Sequence, residues 1–130
     1  MESESRNAKS IRNVWESFND RNWDAMVASF STDMVFVDGG LGTTGGLREF
    51  IDHEKRIANS FPGITVTHVE IIDGDSVVIS RIWNEAASWG ELGEFLLADE
   101  VSRAAVQCCV IWHFNEEKVV RCEGFLIKNP

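Results

Sequence analysis

The stretch ITVTHVEIIDGDSVVISRIWNE, residues 64–85, decides the fold class. Val, Ile and Thr crowd residues 64–72, Asp73-Gly74-Asp75 offers a reversal, and a second strand-like run begins at Ser76 and continues to Trp89. β-branched and aromatic side chains suit a pleated, half-buried backbone, and an Asp-Gly pair between two such runs signals a hairpin. Strands joined by hairpins are antiparallel. Downstream, Glu91–Ala98 reads as a weaker strand, Ser102–Phe114 as another, Asn115-Glu-Glu-Lys118 as a turn, and Val119–Ile127 as the last strand.

Upstream of this stretch the period changes. Ala8, Ile11, Val14, Trp15 and Phe18 recur at three- and four-residue steps, the spacing of one helix face, with Ser5 placed to cap it. Asn22 is placed to cap a second, shorter helix from Trp23 to Phe30. Met34-Val-Phe-Val-Asp38 reads as a strand and GGLGTTGG (39–46) as an irregular loop. Leu47 to about Asn59 is helical again and ends at Phe61-Pro62-Gly63. Helices early and hairpin-joined strands late predict an α+β fold: one curved antiparallel sheet wrapped around the N-terminal helices and enclosing an apolar pocket. With 130 residues, no repeat and no linker, a single domain over 1–130 is expected.

Composition narrows the partners. The chain has 12 Lys and Arg against 21 Asp and Glu, a formal charge of −9, so it carries no basic stripe for a nucleic acid or an anionic membrane. No apolar run approaches the ~20 residues that span a bilayer, and MESESRNAKS lacks the apolar core of a signal peptide. A cytoplasmic protein is expected. Cys108, Cys109 and Cys122 form no disulfide framework, and the three His and three Cys show no ligand spacing, so no metal is expected. GGLGTTGG lacks the Lys of a phosphate loop and reads as a lip on the pocket. There is no Tyr.

Period-two alternation assigns one face of each strand to the concave side. The sets are Met34, Phe36 and Asp38; Val77, Ile79, Arg81 and Trp83; Cys108, Val110, Trp112 and Phe114; and Cys122, Gly124 and Leu126. Asp38 and Arg81 are the two charged members, and a buried Arg needs a partner, so the two are expected to pair. Glu54 shares a helix face with Phe50 and is expected to point the same way, whereas His53 reads as a surface residue. The outer face, with Ser80, Ile82, Gln107, Cys109, His113, Arg121 and Glu123, is mixed.

The element order resembles the NTF2-like superfamily, in its SnoaL-like and ketosteroid isomerase-like branch. The likeness covers roughly residues 8–128 and rests on IRNVWESFNDRNWDAMVASFSTDMVFVDGG, the Gly-rich loop into GGLREFIDH, VVISRIWNE, WGEL and VIWHFNEEKVVRCEGF. The resemblance implies a cone-shaped sheet around a deep apolar pocket, a homodimer, and cofactor-independent acid/base chemistry on a hydrophobic small molecule, of isomerase, cyclase or epoxide-hydrolase type. It aligns Asp38 with a general base. Arg81 and Glu54 are the further candidate catalytic residues, and Phe36, Phe50, Ile79, Trp83, Val110, Trp112 and Leu126 the candidate pocket walls. The Tyr and second acid of the isomerases' oxyanion hole fall near Val14 and Val110, which argues against a ketosteroid isomerase in the strict sense. In an epoxide hydrolase-like arrangement the second Asp would fall at Gly124. Trp89 stands where many SnoaL-like members have a His. The alternative is a non-catalytic ligand-binding or protein-interaction module of the same fold.

Overall fold

The computed structural model describes residues 3–39, 42–87 and 106–127. The expected strand at 91–98 and the Trp89 position lie outside the described residues. The chain forms helices α1 (Arg6–Asn19), α2 (Trp23–Met26) and α3 (Leu47–Ser60) and strands β1 (Phe30–Asp38), β2 (Thr43–Gly45), β3 (Thr65–Asp73), β4 (Val77–Glu85), β5 (Val106–Asn115) and β6 (Lys118–Ile127). The fold is α+β, with a six-stranded, curved, unclosed sheet in the order β2-β1-β6-β5-β4-β3.

Helix α1 starts where its cap requires. The Ser5 side chain accepts from the Ala8 N–H, and its hydroxyl and backbone N–H both donate to the Asp73 carboxylate at 2.7 Å. That contact ties the cap to the β3–β4 turn. Two residues on, the buried Asn7 amide donates to the carbonyls of Asp75 and Glu116, 2.9 and 3.0 Å away. Asp75 and Glu116 sit at φ 64° and 57° in the two hairpin turns, so one side chain holds both reversals. Ala8, Ile11, Val14, Trp15 and Phe18 all face the core, as their spacing predicts.

Four expectations need correction. The second helix ends at Met26, not Phe30, because Phe30 N–H bonds Val27 O and Val119 N–H bonds Ser29 O, drawing the chain into the sheet. Tertiary strand pairing overrides a short helical pattern here. The Gly-rich segment contains a short strand, β2, antiparallel to β1. It lies against α3, where a Cβ on Gly45 would stand 2.5 Å from the Glu49 Cβ.

The sheet is mixed, since β1 runs parallel to β6 while the other pairings are antiparallel. Helix α3 carries the chain from the β2 edge to the β3 edge, and three reversals then return β6 beside β1. The fourth correction concerns β4, whose phase is one residue off the expectation. Val78, Ser80, Ile82 and Asn84 face inward, and Ile79, Arg81 and Trp83 face out. A one-residue shift exchanges the two faces of a strand.

The cause of that phase is a buried polar contact. Ser80 is fully buried on β4, and its hydroxyl oxygen accepts from two indoles: Trp112 Nε1 on β5 at 2.9 Å and Trp15 Nε1 on α1 at 3.3 Å. A hydroxyl has two acceptor lone pairs, so one Ser satisfies both donors. Ser80→Ala leaves two indole N–H groups without a partner in the core. It is expected to lower unfolding free energy by about 2–4 kcal/mol in urea denaturation. A loss under about 0.5 kcal/mol, as for a surface site, would show that both indoles pair elsewhere.

Candidate functional site

Between the concave face and helices α1 and α3 lies a cavity of about 510 Å3. Trp15 and Phe18 line it from α1, Phe50 and Ile57 from α3, Phe36 from β1, Ile82 from β4, Val106 and Val110 from β5, and Phe125 and Leu126 from β6. Five polar side chains interrupt this wall: Asp38, His53, Glu54, Asn84 and Cys108. Such a chamber, apolar with a few convergent polar groups, is the usual form of a small-molecule site.

Asp38 stands at the end of β1, where the neighbouring Gly39 N–H bonds Gly124 O at 2.8 Å. A Cβ at Gly39 would lie 2.2 Å from the Phe125 ring, so only glycine lets that ring pack beside Asp38. Helix α3 supplies the two ionisable groups nearest to Asp38. Its apolar side packs Phe50 against Phe30 and Phe36, with ring centroids 5.2 and 5.4 Å apart. This seats His53 over Phe36 at 5.1 Å. His53 Nε2 lies 3.6 Å from Asp38 Oδ2, and Nδ1 lies 3.4 Å from Glu54 Oε1. An imidazole therefore stands between two carboxylates, with side chains 20% (Asp38), 29% (His53) and 10% (Glu54) exposed.

Burial opposes a charge on His53. The hydrogen bond His53 donates to Glu54, the Glu54 charge and the Asp38 charge together outweigh it, and Arg56 weighs against. The net result holds the imidazole's pKa above its ordinary value of 6.5. Across the chamber, burial and the Glu54 charge push the Cys108 thiol up to about 12, so it stays protonated and is no nucleophile. Asn84 Nδ2 donates to Val106 O at 3.2 Å.

Of the residues singled out from the sequence, Asp38, Glu54, Phe36, Phe50, Val110 and Leu126 line the chamber. Four do not. Arg81 is on the exposed outer face, where its Nε donates to Gln107 Oε1 at 2.9 Å and its guanidinium stacks 4.9 Å over Trp83. The expected Arg81–Asp38 pair does not form. Trp83 and Ile79 share that outer face through the β4 phase. Trp112 is fully buried behind the chamber, packed on Trp15, Phe30 and Phe50 with its N–H held by Ser80. It supports the wall instead of forming it.

His53 and Asn84 were missed. The signal for His53 was present, since it is three residues after Phe50 and next to Glu54. Among the described residues no cluster of three or more His, Cys, Asp and Glu is arranged to hold a metal, and no helix is long and apolar enough to cross a membrane.

A family model described as "SnoaL-like domain" matches residues 11–122. Among solved structures, the chain is similar to IdmH of Streptomyces antibioticus, a candidate polyketide cyclase, with TM-score 0.75 and 16% identity over 94% of this chain and 92% of that one. It is similar to a candidate ketosteroid isomerase of Kribbella flavida, with TM-score 0.73 and 11% identity over 96% and 80% of the two chains. It is also similar to TerC, co-crystallised with polyporic acid, with TM-score 0.72 and 18% identity over 95% and 92%. No curated protein matches the chain.

The raised His53 pKa has a thermodynamic consequence. A group whose folded pKa lies above its unfolded value contributes stability that is fully present below the unfolded value and is lost as pH rises through the folded one. The stability difference between wild type and His53→Gln is therefore expected to be largest below pH 6.5 and to shrink as pH rises past it. Urea denaturation across neutral pH measures it, and the His53 C2–H shift in proton NMR reports the titration directly. A midpoint at or below 6.5 would contradict the two-carboxylate contact.

Proposed function

Because the chain belongs to the SnoaL-like domain family, we propose that it is a small-molecule enzyme. It uses cofactor-independent acid/base chemistry of isomerase, cyclase or epoxide-hydrolase type on a hydrophobic substrate. The observation that carries this reading is the His53 imidazole standing between the Asp38 and Glu54 carboxylates at the edge of an apolar chamber. The names of similar folds, a candidate cyclase and a candidate isomerase, support an organic small molecule as partner. So does the co-crystallisation of another with polyporic acid.

The geometry supports the following roles. Glu54 accepts from Nδ1–H and orients the ring, so Nε2 faces Asp38 and the chamber mouth. Asp38 takes the proton, either from a carbon beside a carbonyl or from a water that attacks the substrate. His53, held toward its protonated form, returns a proton to the oxygen or carbon where negative charge develops. One proton leaves the substrate or water and one is delivered, so no oxidant or metal is required. Phe36, Phe50, Val110 and Leu126 supply the apolar contact that places the substrate. One observation favours the second reading, a ligand-binding module without catalysis: Val14 and Val110 are buried apolar residues where the isomerases' oxyanion donors would fall.

The same proposal includes a homodimer through the outer sheet face, where Ile79, Trp83 and Ile111 are only half-buried. It also includes a cytoplasmic location, in which the free thiols of Cys108, Cys109 and Cys122 remain reduced.

A thermal-shift screen of steroids, terpenoid epoxides and polycyclic ketones, followed by turnover assays, tests the catalytic reading. A ligand is expected to stabilise wild type, Asp38→Asn and His53→Gln alike. Turnover is expected to fall by about 10²- to 10⁴-fold in either variant. The wild-type rate should decline on the alkaline side at a pH above 6.5, as His53 loses its proton. Stabilisation without turnover by wild type would favour the binding module, and turnover unchanged in both variants would overturn the assigned roles. For the dimer, sedimentation velocity at micromolar concentration is expected to show a two-chain species, weakened by Arg81→Glu. A monomer throughout would remove the dimer from the proposal.

A further inference from the structure

Helix α3 has two adjacent working stripes. Phe50, Glu54 and Ile57 face the apolar chamber. Glu49, His53, Arg56 and Ser60, spaced by four, three and four residues, face a second cavity of about 440 Å3 between α3 and β2. Asp38 and His53 line both cavities, together with Phe36, Ile57 and Phe61. The acid/base pair is thus the polar part of a partition, with an apolar chamber on one side and a more polar vestibule on the other.

The charges of the vestibule are unevenly committed. Asp38 and His53 face each other at 3.6 Å. Glu49 lies at the far end of the stripe, its stem against Gly45, seven residues and about 10 Å along the axis from Arg56. Among the described residues no carboxylate oxygen lies within 4.0 Å of the Arg56 guanidinium. Arg cannot lose its charge and presents a planar fork of donors that fits a carboxylate or a similar oxyanion. Ser60, one turn further on, adds a hydroxyl donor. Three features oppose an anion here: the helix C-terminus, worth about half a negative charge, the chain's net charge of −9, and the Asp38 and Glu49 carboxylates of the same cavity, the one facing His53 and the other at the far end of the stripe. A full positive charge in contact exceeds the first, and salt screens the second beyond about 8–10 Å.

We propose that the vestibule is a subsite for an anionic oxygen group, bound by Arg56 with Ser60, on the same ligand whose apolar body fills the chamber. The ligand is then bipartite, with an apolar ring system inside, an anionic substituent outside, and the reacting atoms between them at Asp38 and His53. This inference rests on the chamber reading of the preceding subsection and extends it to the chemical class of the substrate.

Two fluorescent probes of like shape separate the readings. N-phenyl-1-naphthylamine is flat, apolar and neutral, and 1-anilinonaphthalene-8-sulfonate adds one anionic group to the same skeleton. Both are expected to bind wild type and to compete for one site. Arg56→Gln is expected to weaken the sulfonate probe about five- to tenfold and to change the neutral probe less than about twofold. Arg48→Gln removes the same charge from an α3 position outside the vestibule and is expected to affect neither. Added salt should weaken the sulfonate probe on wild type more than on Arg56→Gln. If the neutral probe binds and Arg56→Gln leaves the sulfonate probe unchanged, or shifts both probes equally, the anionic subsite is overturned and the chamber stands. An effect of Arg48→Gln as large as that of Arg56→Gln would also overturn it, because long-range charge would then be the cause. If neither probe binds wild type, the chamber and the subsite fall together.

Discussion

The hydroxyl of Ser80 is the contact on which the rest of the architecture depends. It is a single acceptor, fully buried, shared by the indoles of Trp15 and Trp112. Through it three elements meet at one atom: the first helix and two central strands. Two indole N–H groups cannot be buried unpaired without a cost of about 1–3 kcal/mol each, so the contact selects the register of β4 against α1 and β5. Had β4 shifted by one residue, Ser80 would face solvent and Arg81 would face the core.

From Trp112 the order spreads outward through aromatic contacts. Phe30 and Phe50 pack on its ring, Phe36 packs on Phe50, and His53 packs on Phe36. Each pair meets at an angle, edge toward face or tilted, as ring quadrupoles favour. Helix α3 therefore has little freedom to rotate about its axis. That restriction keeps Glu54 in the chamber, Arg56 in the vestibule and His53 at the boundary. A carboxylate as buried as Glu54 needs a compensating partner, and the neighbouring imidazole supplies it. Core packing and the electrostatics of the site are in this sense one problem, solved by the placement of a single helix.

The sequence was legible where the pattern was strong and local. Ala8, Ile11, Val14, Trp15 and Phe18 have one interpretation, and the caps Ser5 and Asn22 are where side-chain chemistry puts them. Strand β4 had two. Val77, Ile79 and Trp83 on one face look more apolar than Val78, Ser80, Ile82 and Asn84 on the other. The correct phase depends on indoles 65 and 32 residues distant. That error carried Arg81, Trp83 and Ile79 into the expected site. His53 was passed over because a helical His beside a Glu is most often solvated, and only the approach of Asp38 from β1 gives it a role.

The chain's own residues determined the α+β class, the helix spacing, the hairpins, and the presence of Asp38 and Glu54 among apolar neighbours. These depend on propensity and on periods of two and 3.6 residues, which act within a few positions along the chain. Tertiary structure alone decided the parallel pairing of β1 with β6, the face of β4 that is buried, and the meeting of Asp38, His53 and Glu54. Each of these depends on hydrogen bonds or charges between residues remote in sequence, and the energy of such contacts has no local signature.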